Sequence, residues 1–275
     1  MNILIAGLGL IGGSLAKAIK KNTPYTVLGY DIDSVVICES KSVKAIDRAV
    51  NANEFKQADI VFVALYPKAA AEFINTNLSN FKSGSIICDC CGIKKALYDM
   101  LDEKVLKGER FTFIGGHPMA GREVYGFANS VDNLYDNASF IMTPENADSE
   151  KVKKLEQIIL QIGFKSITKT DIATHDYMIA YTSQLAHVLA CSYIFDPLAQ
   201  KHKGFSAGSF LDVTRVANIN ETMWAELFLE NKQALSDEID ILIKNLNLFK
   251  DAIDTSDEQT LRSLMKKSCQ IKENL

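Results

Sequence analysis

The sequence lacks the features that would place the chain in a membrane or on a nucleic acid. No apolar run reaches the roughly 20 residues that a membrane-spanning helix needs. No block of five or more basic residues occurs and the formal net charge is -4, so anionic polymers are not expected partners. The N-terminal segment lacks the basic start of a signal peptide, which favours a cytoplasmic protein.

Signals for disulfides and for metal sites are also weak. The chain has six cysteines but no export signal, so a disulfide framework is not expected. Cys88 and Cys91 have C-x-x-C spacing, yet no second pair or suitably spaced histidines complete a zinc site. Cys88 lies in the strand-like segment GSIICDC and Cys91 directly follows it, so we expect small buried side chains, and no metal is predicted.

The first part of the chain alternates β-branched runs with amphipathic helical patterns. With 275 residues, 47% of them hydrophobic, the chain is long enough for two domains. The alternation predicts a Rossmann-type, doubly wound parallel sheet over residues 1–168. The strand candidates are NILIAG, TVLGYD, ADIVFVAL, GSIICD, RFTFIGG and ASFIMTP.

Residues 169–275 carry helical patterns and predict an all-helical domain that binds substrate and forms a dimer. The segment DIATHDYMIAYTSQLAHVLACSYIF is long enough for one central buried helix. A later helix has apolar residues at alternating steps of four and three, which is the spacing of a helix-packing seam. This seam either packs within its own chain or joins a homodimer, and the small size of the domain favours the dimer. The seam residues are Leu235, Ile239, Leu242, Leu246, Phe249 and Ile253.

The first strand is followed by a glycine fingerprint. Gly7, Gly9 and Gly12 have G-x-G-x-x-G spacing between a strand and a helix, which is typical of a dinucleotide-binding turn. Asp31 ends the second strand, where a carboxylate would bond a ribose 2′-hydroxyl and repel a 2′-phosphate. NAD is therefore predicted over NADP, and the alternative is a glycine turn that binds nothing. The predicted cofactor site comprises Gly7, Leu8, Gly9, Leu10, Ile11, Gly12 and Asp31.

The segment IGGHPMAGRE places a histidine at the carboxyl edge of the predicted sheet, just beyond the fifth strand candidate. Pro118 disfavours the helical region for the residue before it, so His117 is expected to be extended with a restricted ring. Substrates of such folds lie between this edge and the second domain. His117 is therefore a candidate catalytic residue, and the alternative is a strand-end histidine bonded to a carbonyl.

Three segments, GGHPMAGRE, TSQLAH and FLDVTRVANINETMWAELFLENK, together resemble the prephenate and arogenate dehydrogenase family of tyrosine biosynthesis. The resemblance extends over nearly the whole chain. It implies an NAD-dependent oxidoreductase that converts prephenate to 4-hydroxyphenylpyruvate with loss of carbon dioxide. The alternatives are arogenate as the substrate, or a dinucleotide-sensing protein that binds without reaction.

The resemblance also implies roles for particular residues. His117 would take the proton of the substrate's ring hydroxyl as hydride leaves. His187 would be a second active-site histidine, and Arg215 would anchor a substrate carboxylate. Trp224 and Asn231 would support the site. The substrate-binding set is His117, Gly121, Arg122, Ser183, His187 and Arg215.

Three positions depart from the family pattern. Gly92 stands where relatives often carry a serine of a D-x-x-S-x-K motif, so water or Cys91 is expected to replace that hydroxyl. Ala186 replaces a proline common before the second histidine, and a better helix former is a small change. Arg122 replaces a small polar residue and would meet a substrate carboxylate, a cofactor phosphate or Glu123.

The other histidines are expected to stand apart from the chemistry. His175 precedes His187 by 12 residues, so on one helix the two lie about 120° apart and share no narrow face. His202 is expected in a solvated loop. For Arg215 the alternative to a binding role is a salt bridge with Asp212.

Overall fold

The computed structural model describes residues 1–274 and contains one eight-stranded sheet in the order β3-β2-β1-β4-β5-β6-β7-β8. The order reverses between β1 and β4, which is the crevice where open α/β sheets bind ligands. The strands are β1 (Asn2–Ala6), β2 (Thr26–Tyr30), β3 (Arg48–Ala49), β4 (Ile60–Val63), β5 (Ile86–Asp89), β6 (Thr112–Pro118), β7 (Ser139–Thr143) and β8 (Ser166–Lys169).

The predicted doubly wound, parallel sheet is confirmed, and one pair of its strands is antiparallel. β7 runs antiparallel to β6, with Gly116 opposite Met142, whereas the other neighbouring pairs are parallel. The connection between these two strands, residues 119–138, contains turns and one short 3-10 helix, Phe127–Asn129. A parallel pair needs a crossover, usually helical, and this connection has no such helix.

Helices cover both faces of the sheet, and the alternation along β1 explains why. Ile3 and Ile5 are buried against α1 and α6, while Leu4 and Ala6 are buried against α3 and α4. Successive strand residues point to opposite faces, so an almost continuous apolar strand supplies two cores. The helices of this half are α1 (Leu10–Asn22), α2 (Ser34–Ser42), α3 (Pro67–Thr76), α4 (Lys95–Met100), α5 (Glu103–Leu106) and α6 (Ser149–Ile162).

The remainder of the chain is helical, as predicted, but its first long segment is not one α-helix. A π-helical segment, Ala180–Gln184, separates α7 from α8. Wide turns of this kind are rare and recur at functional sites. The boundary between residues 168 and 169 stays a prediction. The helices are α7 (Ile172–Ile179), α8 (Leu185–Tyr193), α9 (Gly208–Thr214), α10 (Glu221–Glu230), α11 (Lys232–Asp254) and α12 (Glu258–Glu273).

The helical half has a small core of its own. Ala180, Leu185, Ala234 and Leu235 form its buried cluster, and Ile239 and Leu242 of the predicted seam pack partly against it. Farther along α11, Leu246 is 54% and Ile253 61% exposed. The seam therefore packs within the chain at its start and is open at its end. Within residues 1–274, no helix is long and apolar enough to cross a membrane.

Candidate functional site

The loop after β1 has the shape that the glycine fingerprint predicts. Gly7 adopts φ +87° and its amide donates to the Tyr30 carbonyl at 2.9 Å. A Cβ on Gly12 would lie 1.8 Å from the Gly7 carbonyl oxygen, so only glycine lets α1 approach the loop. A Cβ on Gly9 would meet nothing within 4 Å, which leaves its face of the loop open.

The residues of this loop fit a dinucleotide. Gly9 caps α1 without a side-chain hydrogen bond, so the first amides of the helix are free to bind phosphate. Asp31 follows β2, and its carboxylate accepts from the Leu8 amide at 2.7 Å and the Asp33 amide at 2.9 Å. These bonds hold the acid beside the loop, where a ribose is expected. Leu10 and Ile11 form the first turn of α1 and are partly buried.

The backbone before His117 is held by a buried ion pair. β6 pairs with β5 as far as Ile114, and beyond it the Asp89 carboxylate accepts from the Gly116 amide at 3.0 Å. Lys94 Nζ bonds the same carboxylate and donates to the Gly116 carbonyl at 2.6 Å. Both charged side chains are fully buried. Burial opposes the charge on Lys94, but attraction by Asp89 prevails and raises the pKa of Lys94.

Close packing explains the glycine at position 116. A Cβ there would lie 2.6 Å from both the Asp89 carbonyl oxygen and the Cys88 sulfur. Those distances are below van der Waals contact, so a side chain would displace β5 or the ion pair. The segment Gly115–Gly116 thus brings the backbone of β6 against β5 just before His117.

His117 is bonded to His175 of the helical half. His117 Nδ1 lies 2.9 Å from His175 Nε2, and His175 Nδ1 lies 2.7 Å from an Asp176 carboxylate oxygen. The Asp176 carboxylate also accepts from the Lys94 amide at 2.9 Å and the Lys95 amide at 2.8 Å. The expectation that His175 stands apart is wrong, because it meets His117 from across the two halves and needs no face in common with His187.

Burial keeps both of these imidazoles neutral. Burial, repulsion from His175 and repulsion from Lys94 lower the pKa of His117 well below its usual value. Burial and the Lys94 charge also lower the pKa of His175, against the hydrogen bond and charge of Asp176, which raise it. A neutral His117 is the form that accepts a proton.

Gly92 lies beside Nε2 of His117 and leaves room there for a small group. A Cβ at this position would lie 3.9 Å from His117 Nε2 and 3.8 Å from a Leu227 methyl, both ordinary contacts. Cys91 does not fill this space, as its sulfur donates to the Leu65 carbonyl at 3.4 Å and its side chain belongs to the core against α3 and α4. The expectation that Cys91 replaces the missing hydroxyl is therefore wrong.

His187 and Trp224 form a second group in the helical half. The two rings lie 3.8 Å apart between centroids, and His187 Nδ1 donates to the Val216 carbonyl at 2.8 Å. Nε2 of His187 is consequently the free acceptor when the ring is neutral. Burial lowers the pKa of His187, which favours that neutral form. α10 connects this group to the other, since it carries both Trp224 and Leu227.

Arg215 follows α9 and pairs with Glu123 of the loop after β6. The side chains are exposed by 65% and 41%, respectively. The alternative pairing of Arg215 with Asp212 is therefore wrong, because the loop brings Glu123 to it. Arg122 donates to the Asn129 carbonyl at 3.2 Å and so takes a partner that its sequence position did not indicate.

The other predicted positions surround these groups. Gly121 is exposed in the loop after β6, and a Cβ there would meet nothing within 4 Å. Ser183 is partly buried in the π-helical segment, four residues before His187. Asn231 donates to the Asp176 carbonyl at 2.9 Å and to the Gln184 side chain at 2.8 Å. His202 bonds Ser206 and its ring stacks on Phe210, so it is more ordered than a solvated loop residue.

Four residues of this arrangement had no predicted role in the site: Asp89, Lys94, His175 and Asp176. Glu123 was expected only as a possible partner of Arg122. The one sequence signal for the ion pair is the strand-end acid followed by a lysine five residues later, in DCCGIK. The dipeptide His175–Asp176 at the start of a helix is too common to indicate a site. The contacts of Lys94 with the Gly116 carbonyl and with the Asp176 carboxylate depend on tertiary structure, because they join residues 22 and 82 positions apart, respectively.

Comparisons with known proteins identify the family of the chain. The prephenate dehydrogenase nucleotide-binding domain model matches residues 15–168, and the prephenate dehydrogenase dimerization domain model matches residues 171–267. The prephenate dehydrogenase of Bacillus subtilis (strain 168) is 29% identical over 269 residues, which cover 94% of this chain and 72% of that protein. The prephenate dehydrogenase of Lactococcus lactis subsp. cremoris (strain MG1363) is 29% identical over 280 aligned positions, with 98% and 76% covered.

A solved structure extends the likeness to the fold. The crystal structure of prephenate dehydrogenase from A. aeolicus, in complex with hydroxyphenyl propionate and NAD+, superposes with a TM-score of 0.87. It is 27% identical, and the superposition covers 100% of this chain and 98% of that one. With one family model matching more than half of the residues and a second matching most of the rest, the chain belongs to the prephenate dehydrogenase family.

Proposed function

We propose that the chain catalyses the NAD-dependent oxidative decarboxylation of prephenate to 4-hydroxyphenylpyruvate, a step of tyrosine biosynthesis. The observation that carries the proposal is the position of His117 at the sheet edge. Burial lowers its pKa, a Cβ at Gly92 would lie at ordinary contact distance from its Nε2, and the helical half supplies a guanidinium, Arg215. Family membership and the curated relatives support the same reaction. A cytoplasmic location stays a prediction from sequence.

NAD is the cofactor, and the glycine loop is where this chain would hold it. The open face of Gly9 and the free amides of α1 fit a pyrophosphate, and Asp31 fits an unphosphorylated ribose. When bound, the nicotinamide supplies the hydride acceptor. The protein's part is to bind it, orient it and hold the substrate over it.

His117 would act as the general base. The carbon that bears the ring hydroxyl loses its hydrogen with the bonding electrons, and Nε2 of His117 takes the hydroxyl proton. Breaking the bond to the ring carboxylate then releases carbon dioxide, and its electron pair completes the aromatic ring. The new carbonyl oxygen regains a proton as the phenol forms. A positioned base contributes about 10²- to 10⁴-fold to such a step.

Arg215 would bind a substrate carboxylate by two parallel hydrogen bonds. Its partner Glu123 is an exposed carboxylate, and exposed pairs of this kind are worth about 0–1 kcal/mol, so a substrate can displace Glu123 at little cost. His187 would offer Nε2 to a bound substrate from the helical half. Ser183, Gly121 and Arg122 remain proposed contacts of the same substrate.

We also infer a homodimer formed by the helical half. Its own buried cluster is small, and the end of the α11 seam is open. The family model that matches residues 171–267 is described as a dimerization domain. Large apolar side chains exposed in this half support an interface: Phe195 is 80%, Phe205 93% and Leu229 72% exposed.

The proposal is tested by supplying prephenate or arogenate with NAD and following NADH by absorbance. Prephenate should be turned over with the larger kcat/KM. A preference for arogenate would reassign the substrate within the family. Tight NAD binding with no reduction by either compound would contradict the enzyme and favour a dinucleotide-sensing protein.

A further inference from the structure

We propose that His175 and Asp176 are positioning residues that hold His117 with its proton on Nδ1, so that Nε2 carries the lone pair used as the base. This deepens the proposed function and rests on it. Neither residue touches the space beside Gly92 where the substrate is expected; they act through the His117 ring.

The Asp176 carboxylate donates no hydrogen bond when ionised. It already accepts from the Lys94 and Lys95 amides, and its third partner is His175 Nδ1 at 2.7 Å. His175 must therefore carry a proton on Nδ1. The two oxygens of this carboxylate thus accept three hydrogen bonds.

The protonation of His117 follows from that of His175. A neutral ring with a proton on Nδ1 has a lone pair on Nε2. His175 Nε2 lies 2.9 Å from His117 Nδ1, so a hydrogen bond between them requires His117 Nδ1 to donate. His117 Nε2 is left as the acceptor, and it is the nitrogen beside the space at Gly92.

Burial supports the assignment of the proton to Nδ1 in both histidines. The His175 side chain has no exposed surface and that of Asp176 is 7% exposed, so bulk water does not compete for these bonds. Burial and Lys94 lower the pKa of His175, which keeps its Nε2 an acceptor at neutral pH. A protonated His175 would donate to His117 instead and leave a proton on the nitrogen that has to accept one.

The positioning pair also depends on how the two halves meet. His117 lies on β6, whereas His175 and Asp176 lie on α7. Asp176 is fixed to the sheet half through the amides of Lys94 and Lys95, and to the helical half through its own carbonyl, which accepts from Asn231. The lone pair of His117 is thus set by contacts that exist only when the halves are packed together.

The direct test is the ring protonation of the wild-type protein. The chain has four histidines, so ring-¹⁵N labelling gives a spectrum that single substitutions can assign. At neutral pH, without substrate, His117 and His175 should both be protonated on Nδ1 and unprotonated on Nε2. A proton on His117 Nε2 would overturn the proposal. This measurement needs no turnover, so it stands even if prephenate is not the substrate.

Two substitutions test the consequence for the reaction. His175→Leu removes the acceptor, and should lower kcat at least about 10-fold while KM for prephenate and Kd for NAD stay within about twofold. His175→Gln offers a carbonyl oxygen to His117 Nδ1 and should recover part of the lost kcat. His202→Gln is the control, because His202 hydrogen-bonds Ser206 and stacks on Phe210 and contacts neither His117 nor His175, and it should leave every value unchanged.

The outcomes separate the alternatives. Loss of kcat in the leucine variant, with His117 shifted away from Nδ1 protonation and partial rescue by glutamine, supports positioning. Wild-type kcat in His175→Leu, or a KM that rises as much as kcat falls, would contradict it. If the leucine variant does not fold, the wild-type ¹⁵N spectrum and the glutamine variant decide. Absence of NADH formation by the wild type would contradict the proposed function alone.

Discussion

The two sides of the candidate site are built in opposite ways. On the His117 side, the charged and titratable partners are buried and each is bonded to a fixed neighbour. On the Arg215 side, the guanidinium is 65% exposed and pairs with a loop carboxylate. A base needs one lone pair aimed in one direction, whereas an anchor has to exchange its partner when substrate arrives.

The largest effect is expected at the base itself. His117→Asn removes the proton acceptor while keeping a polar side chain, so kcat should fall about 10²- to 10⁴-fold with KM for prephenate little changed. Steady-state kinetics and NAD binding measure the two parts. Wild-type turnover by this variant would end the general-base role.

Substitution of the buried lysine should chiefly affect folding. Lys94→Met leaves Asp89 as a buried unpaired charge, which costs about 3–5 kcal/mol of unfolding free energy. Lys95→Met breaks an exposed pair with Asp99 and should cost no more than about 0.5 kcal/mol. Urea denaturation of both variants measures the difference. Equal losses would mean that the buried pair does not organise the backbone before His117.

Loss of the anchor should weaken substrate binding more than turnover. Arg215→Gln removes the charged hydrogen bonds to a carboxylate, worth about 1.5–3 kcal/mol, so KM should rise about 10- to 150-fold. Stability should barely change because the Glu123 pair is exposed. Arg262→Gln, in an exposed pair with Glu258 near the start of α12, is the matched control. An unchanged KM would reassign Arg215 to structure.

The smallest effect is expected where the family hydroxyl is missing. Gly92→Ala adds a Cβ at ordinary contact distances of 3.8 and 3.9 Å, so activity should stay within about twofold. Gly92→Ser adds a hydroxyl within reach of His117 Nε2 and a substrate oxygen, and should lower KM for prephenate several-fold, as one neutral hydrogen bond of about 0.5–1.5 kcal/mol would. If serine and alanine behave alike, the hydroxyl has no partner there.

Local patterns predicted much of the fold and the cofactor loop. The spacing of Gly7, Gly9 and Gly12 specifies a backbone shape that follows from the residues themselves, and the loop after β1 adopts it. The antiparallel β7 was missed because strand patterns carry no direction, and the connecting loop had to be seen to lack a helix. The π-helical segment was missed because Ala180–Gln184 carries no breaker such as proline or glycine.

The positioning of His117 was not predictable for a different reason. Helix spacing relates His175 to His187, whereas the contact of His175 is with His117, on a strand 58 residues earlier in the chain. Likewise, the acid nearest to Arg215 in sequence is Asp212, but its salt-bridge partner is Glu123, 92 residues away. Sequence spacing describes neighbours within one element, and these contacts join separate elements through the packing of the two halves.

The most direct test of a buried, neutral His117 as the base is the pH dependence of kcat/KM for prephenate. The base works in its neutral form, and its pKa is lowered well below about 6.5. Between pH 8 and 6.5 the profile should therefore show no loss from protonation of His117, and it should fall only at more acid pH. The unfolded chain takes up these protons near pH 6.5 while the folded chain does not, so stability also declines below that pH. Assay after return to pH 7.5 separates reversible protonation from unfolding. A reversible acid limb centred at or above pH 6.5 would contradict a buried, neutral His117 as the base.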